Sequence, residues 1–340
     1  MAWQGFIQEM DSAKASACPA VLIIAFNRRD TVLRVMEAVR RAKPARLFVA
    51  CDGPRAGRPS ERVAVEAVRE VLTGVDWKCE VRTRFLGENH GCAKAVSSAI
   101  GWFLDEVGEG IILEDDCLPA PAFFEYAGAM LERYRTDERI ALISGSNMAP
   151  EVGFHDDHAF SGLAMCWGWA TWRRAWSGFE LVPPMVSRSE PWAESIDPRC
   201  FRFIAKAFGK IHGGNVHTWD YQFLVQVLRR GQLTVVPRKN LVINIGFDGQ
   251  GAHFNANGRR WWVPPRAFDF KGEWTKEVPV APNRAYDRNY AISSFSAVGQ
   301  LARAVVKVKR WLAFRRQAKD SDCWHPAAQR PDQAVTRRCP

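Results

Sequence analysis

The stretch Glu109-Gly-Ile-Ile-Leu-Glu-Asp-Asp-Cys117 decides the fold class of this 340-residue chain. Its short apolar run, residues 111–113, predicts a buried strand, and Glu114, Asp115 and Asp116 follow it directly. Strands of parallel sheets are buried on both faces and read as continuous apolar runs of this kind. The three adjacent carboxylates repel one another unless a cation neutralises them.

Strand, polar turn and helix alternate along the whole first part of the chain. The sequence predicts strands over residues 21–26, 46–50, 79–83, 109–113, 140–144 and 233–236. It predicts helices up to residue 41 and over 60–72, 93–107, 122–135 and 219–230. This βαβαβαβ order predicts an α/β fold with a mostly parallel central sheet flanked by helices. Ligands of such sheets bind beyond the carboxyl ends of the strands, where the polar clusters of this sequence fall.

Changes in composition divide the chain into four predicted regions. These are a flexible N-terminus (1–18), an α/β half (19–145), an aromatic-rich second half (146–285) and a basic tail (286–340) with a predicted amphipathic helix over 295–319. The second half begins where tryptophans become frequent, with Trp167, Trp169, Trp172 and Trp176 close together. Such tryptophans either form core or stack on sugar faces.

Composition and charge narrow the functional classes. The chain is 47% hydrophobic and 25% charged, as expected of a folded globular protein. Its net charge is +10, but the region 286–340 has eleven Lys/Arg and four Asp/Glu, so only +3 belongs to the body. No nucleic-acid recognition motif accompanies that charge, and we expect no nucleic-acid partner.

Signals for export and membrane insertion are missing from the sequence. No apolar run approaches the ~20 residues that span a bilayer, and the first seventeen residues lack the apolar stretch of a secretory signal. Nine scattered cysteines form no CxxC pair, which indicates reduced thiols. We therefore expect a cytoplasmic protein.

The acidic triplet is the strongest candidate for a functional site. One or two carboxylates at a strand exit suit an open Mg²⁺ or Mn²⁺ site that bridges to a nucleotide's phosphates. The alternative is a solvated acidic turn that caps the following helix.

Polar residues at the other strand ends are further candidates. Arg28 follows the first strand and either binds a phosphate or base or is an exposed loop arginine. Asp52 follows the second strand and either accepts hydrogen bonds from a base or ribose or is an ordinary Asp-Gly turn residue. Lys94 stands at a predicted helix start after the loop 87–91, where amides and a lysine can meet an anion.

Two residues of the second half are further candidates for a functional site. Asp220, in Thr218-Trp-Asp-Tyr, is either a catalytic carboxylate or a first-turn helix residue after a Thr N-cap. His253 lies in a glycine-rich loop that begins near Asn244, and either touches a metal or pyrophosphate or is a surface histidine.

These motifs together resemble the nucleotide-sugar-dependent glycosyltransferases of the GT-A fold. Within them the chain is similar to the N-acetylglucosaminyltransferases that initiate complex N-glycans and to their bacterial relatives. The most specific match is Ile112-Leu-Glu-Asp-Asp-Cys-Leu-Pro-Ala-Pro-Ala-Phe-Phe-Glu-Tyr126, which looks like the family's acidic form of the DxD motif. Ser161–Trp172 is similar to the family's aromatic donor-sugar and acceptor wall, and Trp219-Asp220 to its base-bearing pair.

The resemblance implies a role for each candidate residue. Asp116 would ligate Mn²⁺ or Mg²⁺, with Glu114 and Asp115 nearer the nucleoside. Arg28 and Asp52 would contact the base, which the family likeness makes uracil, and Lys94 would stand by the donor. His253 would close over the diphosphate, and Asp220 would be the general base.

The implied reaction is inverting transfer from a UDP-sugar, such as UDP-GlcNAc, to a glycan or lipid-linked acceptor in surface polysaccharide synthesis. A sugar nucleotidyltransferase and a non-catalytic carbohydrate-binding protein are the alternatives. The absence of an anchor or disulfide pattern departs from the Golgi members of the family and fits a bacterial cytoplasmic enzyme. The basic tail is either a peripheral contact to the inner face of the membrane or a solvated charged tail.

Overall fold

The computed structural model describes residues 18–214, 217–246, 266–270, 272, 274 and 276–295. Its strands are β1 (Val21–Ala25), β2 (Arg46–Cys51), β3 (Glu80–Phe85), β4 (Glu109–Glu114), β5 (Cys117–Pro119), β6 (Ile140–Ser144), β7 (His158–Ser161), β8 (Trp169–Trp172), β9 (Leu233–Pro237) and β10 (Val242–Asn244). Its helices are α1 (Arg29–Ala42), α2 (Pro59–Thr73), α3 (Gly91–Val107), α4 (Pro121–Arg133), α5 (Arg173–Trp176), α6 (Trp192–Ser195), α7 (Pro198–His212), α8 (Asp220–Arg229) and α9 (Arg284–Phe295).

Eight strands form one sheet in the order β3-β2-β1-β4-β8-β6-β9-β7. β1 pairs in parallel with β2 and β4, β2 with β3, and β6 with β9. β8 runs antiparallel to both β4 and β6, and β7 antiparallel to β9. The predicted α/β class and the mostly parallel sheet are therefore confirmed.

The sheet is buried on both faces because its strands alternate between two apolar cores. In β1, Val21 and Ile23 pack into the core that includes α1, α2 and α4. Leu22 and Ile24 point to the opposite face and pack with α3 and α8. Burying one such aliphatic side chain contributes about 1.5–3 kcal/mol, so the central strands fix the register of the whole sheet.

In the tryptophan-rich segment, Trp169, Trp172 and Trp176 are buried in the core. Trp169 is fully buried in β8, and its ring lies 5.7 Å from that of Trp219 and 6.3 Å from that of Trp176. β8 lies between β4 and β6, so strands from both sides of residue 145 share the sheet. The division into an N-terminal and a C-terminal half stays a prediction.

A second, two-stranded sheet was not predicted. β5 follows the acidic triplet and pairs antiparallel with β10, with Leu118 opposite Ile243. Gly145 and Gly168 let this ribbon approach the main sheet, because a β-carbon at Gly168 would lie 2.7 Å from a methyl group of Val242. β10 is thereby held beside the exit of β4.

Most predicted elements are present, with ends that differ by no more than two residues. The helices α7 and α9 were not predicted, although the apolar residues of α7 recur at helical spacing, with Phe201, Ile204 and Phe208 on its buried side. Nearly all of the predicted tail helix, residues 296–319, lies outside the described residues. Within the described ranges, no helix combines the length and apolar character that crossing a bilayer requires.

Candidate active site

The carboxyl ends of β1, β2 and β4 lie side by side and form what we call the carboxyl edge. Ala25 of β1 is in register with Cys51 of β2, and Ile24 of β1 with Glu114 of β4. The polar residues that follow these strands leave from one edge of the sheet, as the sequence predicted.

The guanidinium of Arg28 lies between two carboxylates of the acidic triplet. Its Nη2 donates to Asp116 Oδ2 at 2.8 Å and to Asp115 Oδ1, and its Nε donates to Asp115 Oδ2 at 3.4 Å. The side chain of Asp115 is 6% exposed, and those of Arg28 and Asp116 are 17% exposed. The alternative of a solvated acidic turn is therefore wrong for Asp115. The positive charge of Arg28 balances part of the negative charge for which the sequence predicted a cation.

Asp116 is also bound from the opposite side by the end of β10. Asn244 Nδ2 donates to Asp116 Oδ1 at 3.2 Å, and the Ile245 amide donates to the Asp116 carbonyl at 2.8 Å. Gly246 follows so closely that a β-carbon there would overlap Asp116 Oδ2. The Nη1 atom of Arg28, which faces Gly246, is buried and has no hydrogen-bond partner within the described residues.

Burial and like charge shape the protonation of the triplet. Burial raises the pKa of Asp115 to about 6, although Arg28 opposes the rise. Burial and the carboxylates of Asp116 and Asp115 raise the pKa of Glu114 well above its usual range. Burial lowers the pKa of Arg28, but Asp115 and Asp116 outweigh it and the net shift is upward.

Asp220 belongs to the same electrostatic site although it lies on α8. Its charge adds to the raised pKa of Glu114, and also to that of the buried thiol of Cys166, where burial is the main cause. Asp220 is the first residue of α8, and the Thr218 hydroxyl donates to its Oδ1. Trp219, not Thr218, is the N-cap residue, and no side-chain capping bond is present there. The specific N-cap interpretation of Thr218 is thus wrong.

Asp52 organises the loop that starts α3. Its Oδ1 accepts from the amides of Gly53 and His90, both at 2.9 Å. Its Oδ2 accepts from Asn89 Nδ2 at 2.9 Å and from the Gly91 amide at 3.0 Å. These four donors fill the lone-pair directions of a carboxylate. The contact of Asp52 with a base stays a prediction, and it requires one of these donors to move.

The N-terminus of α3 lies beside the acids. Burial raises the pKa of the Cys92 thiol to about 12, and the charges of Glu114 and Asp220 add to the rise. Lys94, in the same turn, is exposed, and its side chain forms no hydrogen bond or ion pair with another described residue. Its predicted contact with the donor stays a prediction.

The acidic triplet fits an open rather than a closed metal site. Among the described residues, no three His, Cys, Asp or Glu side chains converge in the geometry of a metal centre. Mg²⁺ and Mn²⁺ bound with nucleotides need only one or two carboxylates from the protein. Asp116 Oδ1 accepts from Asn244 and from the Cys117 thiol, whereas Oδ2 accepts only from Arg28 among the described residues, which leaves a lone pair on Oδ2 for an ion. Glu114, Asp115 and Asp116 interact with one guanidinium, and Asp220 adds its charge at Glu114, so the described site has excess negative charge that a divalent cation would balance.

No protein-family model matches the chain, and no curated protein sequence matches it. Among solved structures, the apo form of mouse xyloside xylosyltransferase 1 is similar, with 12% sequence identity and a TM-score of 0.32. The similarity covers 62% of this chain and 81% of that one. A TM-score this low carries no weight for function.

The structure adds residues that sequence reasoning did not name as part of the site. Asn244 and Gly246 contact Asp116, and Cys92 lies among the carboxylates. The only signal for the first two was their place at the start of the glycine- and asparagine-rich loop. His253, in the same loop, lies outside the described residues, and its predicted contact with the diphosphate stays a prediction.

Proposed function

We propose that this chain is a metal-dependent inverting glycosyltransferase that moves a sugar from a UDP-sugar to a hydroxyl group of a glycan or glycolipid. One arrangement carries the proposal. Arg28 is held between Asp115 and Asp116 at the carboxyl edge, with Asp220 in electrostatic range of Glu114. The resemblance of residues 112–126 to the acidic motif of GT-A enzymes supports the same function.

Arg28 is the residue best placed to meet the donor. Its Nη1 is buried without a partner, so this N–H group can donate to a phosphate or base oxygen while Nη2 and Nε stay on the two aspartates. The exposed Lys94, in the first turn of α3, adds positive charge near this edge, whereas the His90 and Gly91 amides are already bonded to Asp52. These groups would hold the nucleoside diphosphate against the carboxyl edge.

Asp116 is the residue that would hold the divalent ion, because Asp115 is engaged by Arg28 on both oxygens. When bound, Mn²⁺ or Mg²⁺ stabilises the negative charge that develops on a leaving diphosphate.

Asp220 would be the general base. Thr218 donates to its Oδ1, which orients the carboxylate and leaves Oδ2 to accept a proton. As Asp220 takes the hydroxyl proton of the acceptor, the oxygen forms a bond to the anomeric carbon. The bond between that carbon and the diphosphate breaks on the opposite face, and UDP leaves with the electron pair. The single displacement inverts the anomeric configuration and requires no protein nucleophile.

Thermal melting against nucleotide sugars, with and without Mn²⁺, tests the proposal. Because ligand binding to the native state raises its stability, one UDP-sugar is expected to raise Tm only when Mn²⁺ is present. We would begin with UDP-GlcNAc. Asp116→Ala should lose this shift, and Asp105→Asn, which changes a carboxylate that is 79% exposed, should keep it.

Product analysis separates the alternatives. Release of UDP supports the transferase, whereas release of pyrophosphate would indicate a sugar nucleotidyltransferase. A folded protein that binds glycan but shifts with no nucleotide sugar would contradict both enzymes and support a carbohydrate-binding protein.

A further inference from the structure

The outer side of α7 carries a stripe of positive charge. Arg202, Lys206 and Lys210 are spaced four residues apart and are all exposed, and Phe203 beside them is 36% exposed. Residues four apart lie on one side of a helix, so these four side chains form one surface about 12 Å long, which we call the basic face.

Ion pairs within the described part of the protein do not neutralise these charges. Arg202, Lys206 and Lys210 form no ion pair with another described residue, and α7 contains no Asp or Glu. The nearby Asp197 is engaged by Arg199 at 3.0 Å. Like charges at this spacing repel and weaken a helix. An anionic partner would relieve this repulsion.

The basic face is fixed in position by the other side of the helix. Phe201, Ile204 and Phe208 are buried in a core with residues of α6 and α8. The Phe203 ring lies 5.6 Å from that of Tyr221, the residue that follows Asp220. The basic face is therefore a rigid surface beside the start of α8.

We propose that the basic face binds an anionic lipid surface. Lysine and arginine attract the headgroups of anionic lipids, and an aromatic side chain among them can enter the interface. The helix has no Asn, Gln, Ser or Thr, so the amide and hydroxyl groups that accompany Arg and Lys in base recognition are absent from it. This surface differs from the basic tail and does not depend on the reaction proposed above. If both proposals hold, the acceptor is lipid-linked and reaches Asp220 at the membrane.

Co-sedimentation of the full chain with vesicles tests the proposal. The vesicles are phosphatidylcholine alone or with 30% phosphatidylglycerol (about one anionic lipid in three), at low salt because the attraction is screened. The test variant combines Arg202→Gln, Lys206→Gln and Lys210→Gln. The control combines Arg34→Gln, Arg62→Gln and Lys78→Gln, which removes the same charge from exposed positions without an ion pair in the described structure. Both variants keep the tail.

The wild-type chain and the control are expected to bind only the anionic vesicles. Each cation near such a surface contributes about fivefold in partitioning, so the test variant should lose roughly 100-fold. Phe203→Ser should weaken binding further. Should the triple variant fail to fold by circular dichroism, the single changes Lys206→Gln and Lys210→Gln should each lose about fivefold.

Three results would overturn the proposal. The first is that the wild-type chain does not bind anionic vesicles. The second is that the test and control variants lose vesicle binding equally. The third is that the test variant loses binding to a single-stranded RNA 20-mer but keeps its binding to vesicles. The donor-induced Tm shift is measured on the same proteins. Because these cations lie outside the proposed donor site, that shift reports on the proposed function separately.

Discussion

Arg28 Nη2 donates to Asp116 Oδ2 at 2.8 Å, and the two residues are 88 positions apart in the chain. The pair joins the exit of β1 to the exit of β4 in a region with little solvent. Removing one partner of a buried ion pair leaves an uncompensated charge, which costs more than the pair itself contributes. Arg28 therefore stabilises the folded chain as well as the proposed donor site.

We expect Arg28→Ala to lower the free energy of unfolding by about 3 kcal/mol at neutral pH, because Asp115 and Asp116 lose their cation. Urea unfolding followed by tryptophan fluorescence measures the change. Arg34→Ala, at an exposed position of α1, is the control and should stay within about 0.5 kcal/mol of the wild-type value. Equal losses in the two variants would show that the Arg28 pairs add no stability.

Gly246→Ala should damage the site more than the fold. A β-carbon at this position would overlap Asp116 Oδ2 and lie 2.6 Å from Arg28 Nη1. We expect the donor- and Mn²⁺-dependent Tm shift to disappear while the far-UV circular dichroism spectrum is unchanged. Gly153→Ala, with open space around its β-carbon, is the matched control. A full donor shift in Gly246→Ala would mean that this contact is not part of the site.

Asp220→Asn should separate chemistry from binding. An amide keeps the shape of the side chain but cannot take the acceptor proton, so kcat should fall by about 10²–10⁴-fold. The donor-induced Tm shift should remain near the wild-type value, because Asp220 is not proposed to hold the donor. Steady-state kinetics and melting curves on the same protein measure both. Wild-type turnover in Asp220→Asn would remove the assignment of the base.

Gly53→Ala should destabilise the chain by about 1–3 kcal/mol, the usual cost of overpacking. A β-carbon at Gly53 would overlap the backbone of Glu88, so the loops after β2 and β3 would have to separate. Gly87→Ala, next to Glu88 but with open space around its β-carbon, should change stability by less than about 0.5 kcal/mol. Chemical denaturation compares the two, and a smaller effect at Gly53 would contradict the close contact.

His158 should make the protein sensitive to acid. Burial lowers the pKa of His158 from 6.5 to about 4, and its Nε2 lies 2.7 Å from the Tyr134 hydroxyl. Between these values the unfolded chain binds a proton that the folded chain does not, so stability falls as pH drops from about 6.5 to about 4. Full protonation of this one group costs about 3 kcal/mol.

The His158→Gln variant checks this prediction, because glutamine can still accept a hydrogen bond but does not titrate. Its unfolding free energy should fall about 3 kcal/mol less than that of the wild type between pH 7 and pH 4. His155→Gln, at an exposed position, should keep the wild-type pH dependence. Parallel curves for the wild type and His158→Gln would contradict the buried, neutral histidine.

The sequence was informative where one local pattern determines the structure. The apolar runs of β1 and β4 predicted buried parallel strands, and their polar exits predicted one shared edge with Arg28 and the acidic triplet. Of the two interpretations of the tryptophans, core and sugar stacking, core was confirmed for Trp169, whose large ring is fully buried.

Long-range contacts account for what the sequence did not indicate. Asn244 is 128 residues from Asp116, and no local pattern connects them. Arg28 was considered as a ligand of phosphate, yet its nearest partners are carboxylates of the chain itself. The saturation of Asp52 likewise depends on donors nearly 40 residues away. Composition and spacing contain no information about such pairings.

The contact between Asn244 and Asp116 also sets an order of events during synthesis. The ribosome releases β4 with its acids long before β10 exists, so the nascent chain exposes the acidic turn to water while the first βαβ units form. The contacts of Asn244 and Ile245 with Asp116 form only when β10 pairs with β5, which makes this side of the site one of the last parts of the molecule to mature.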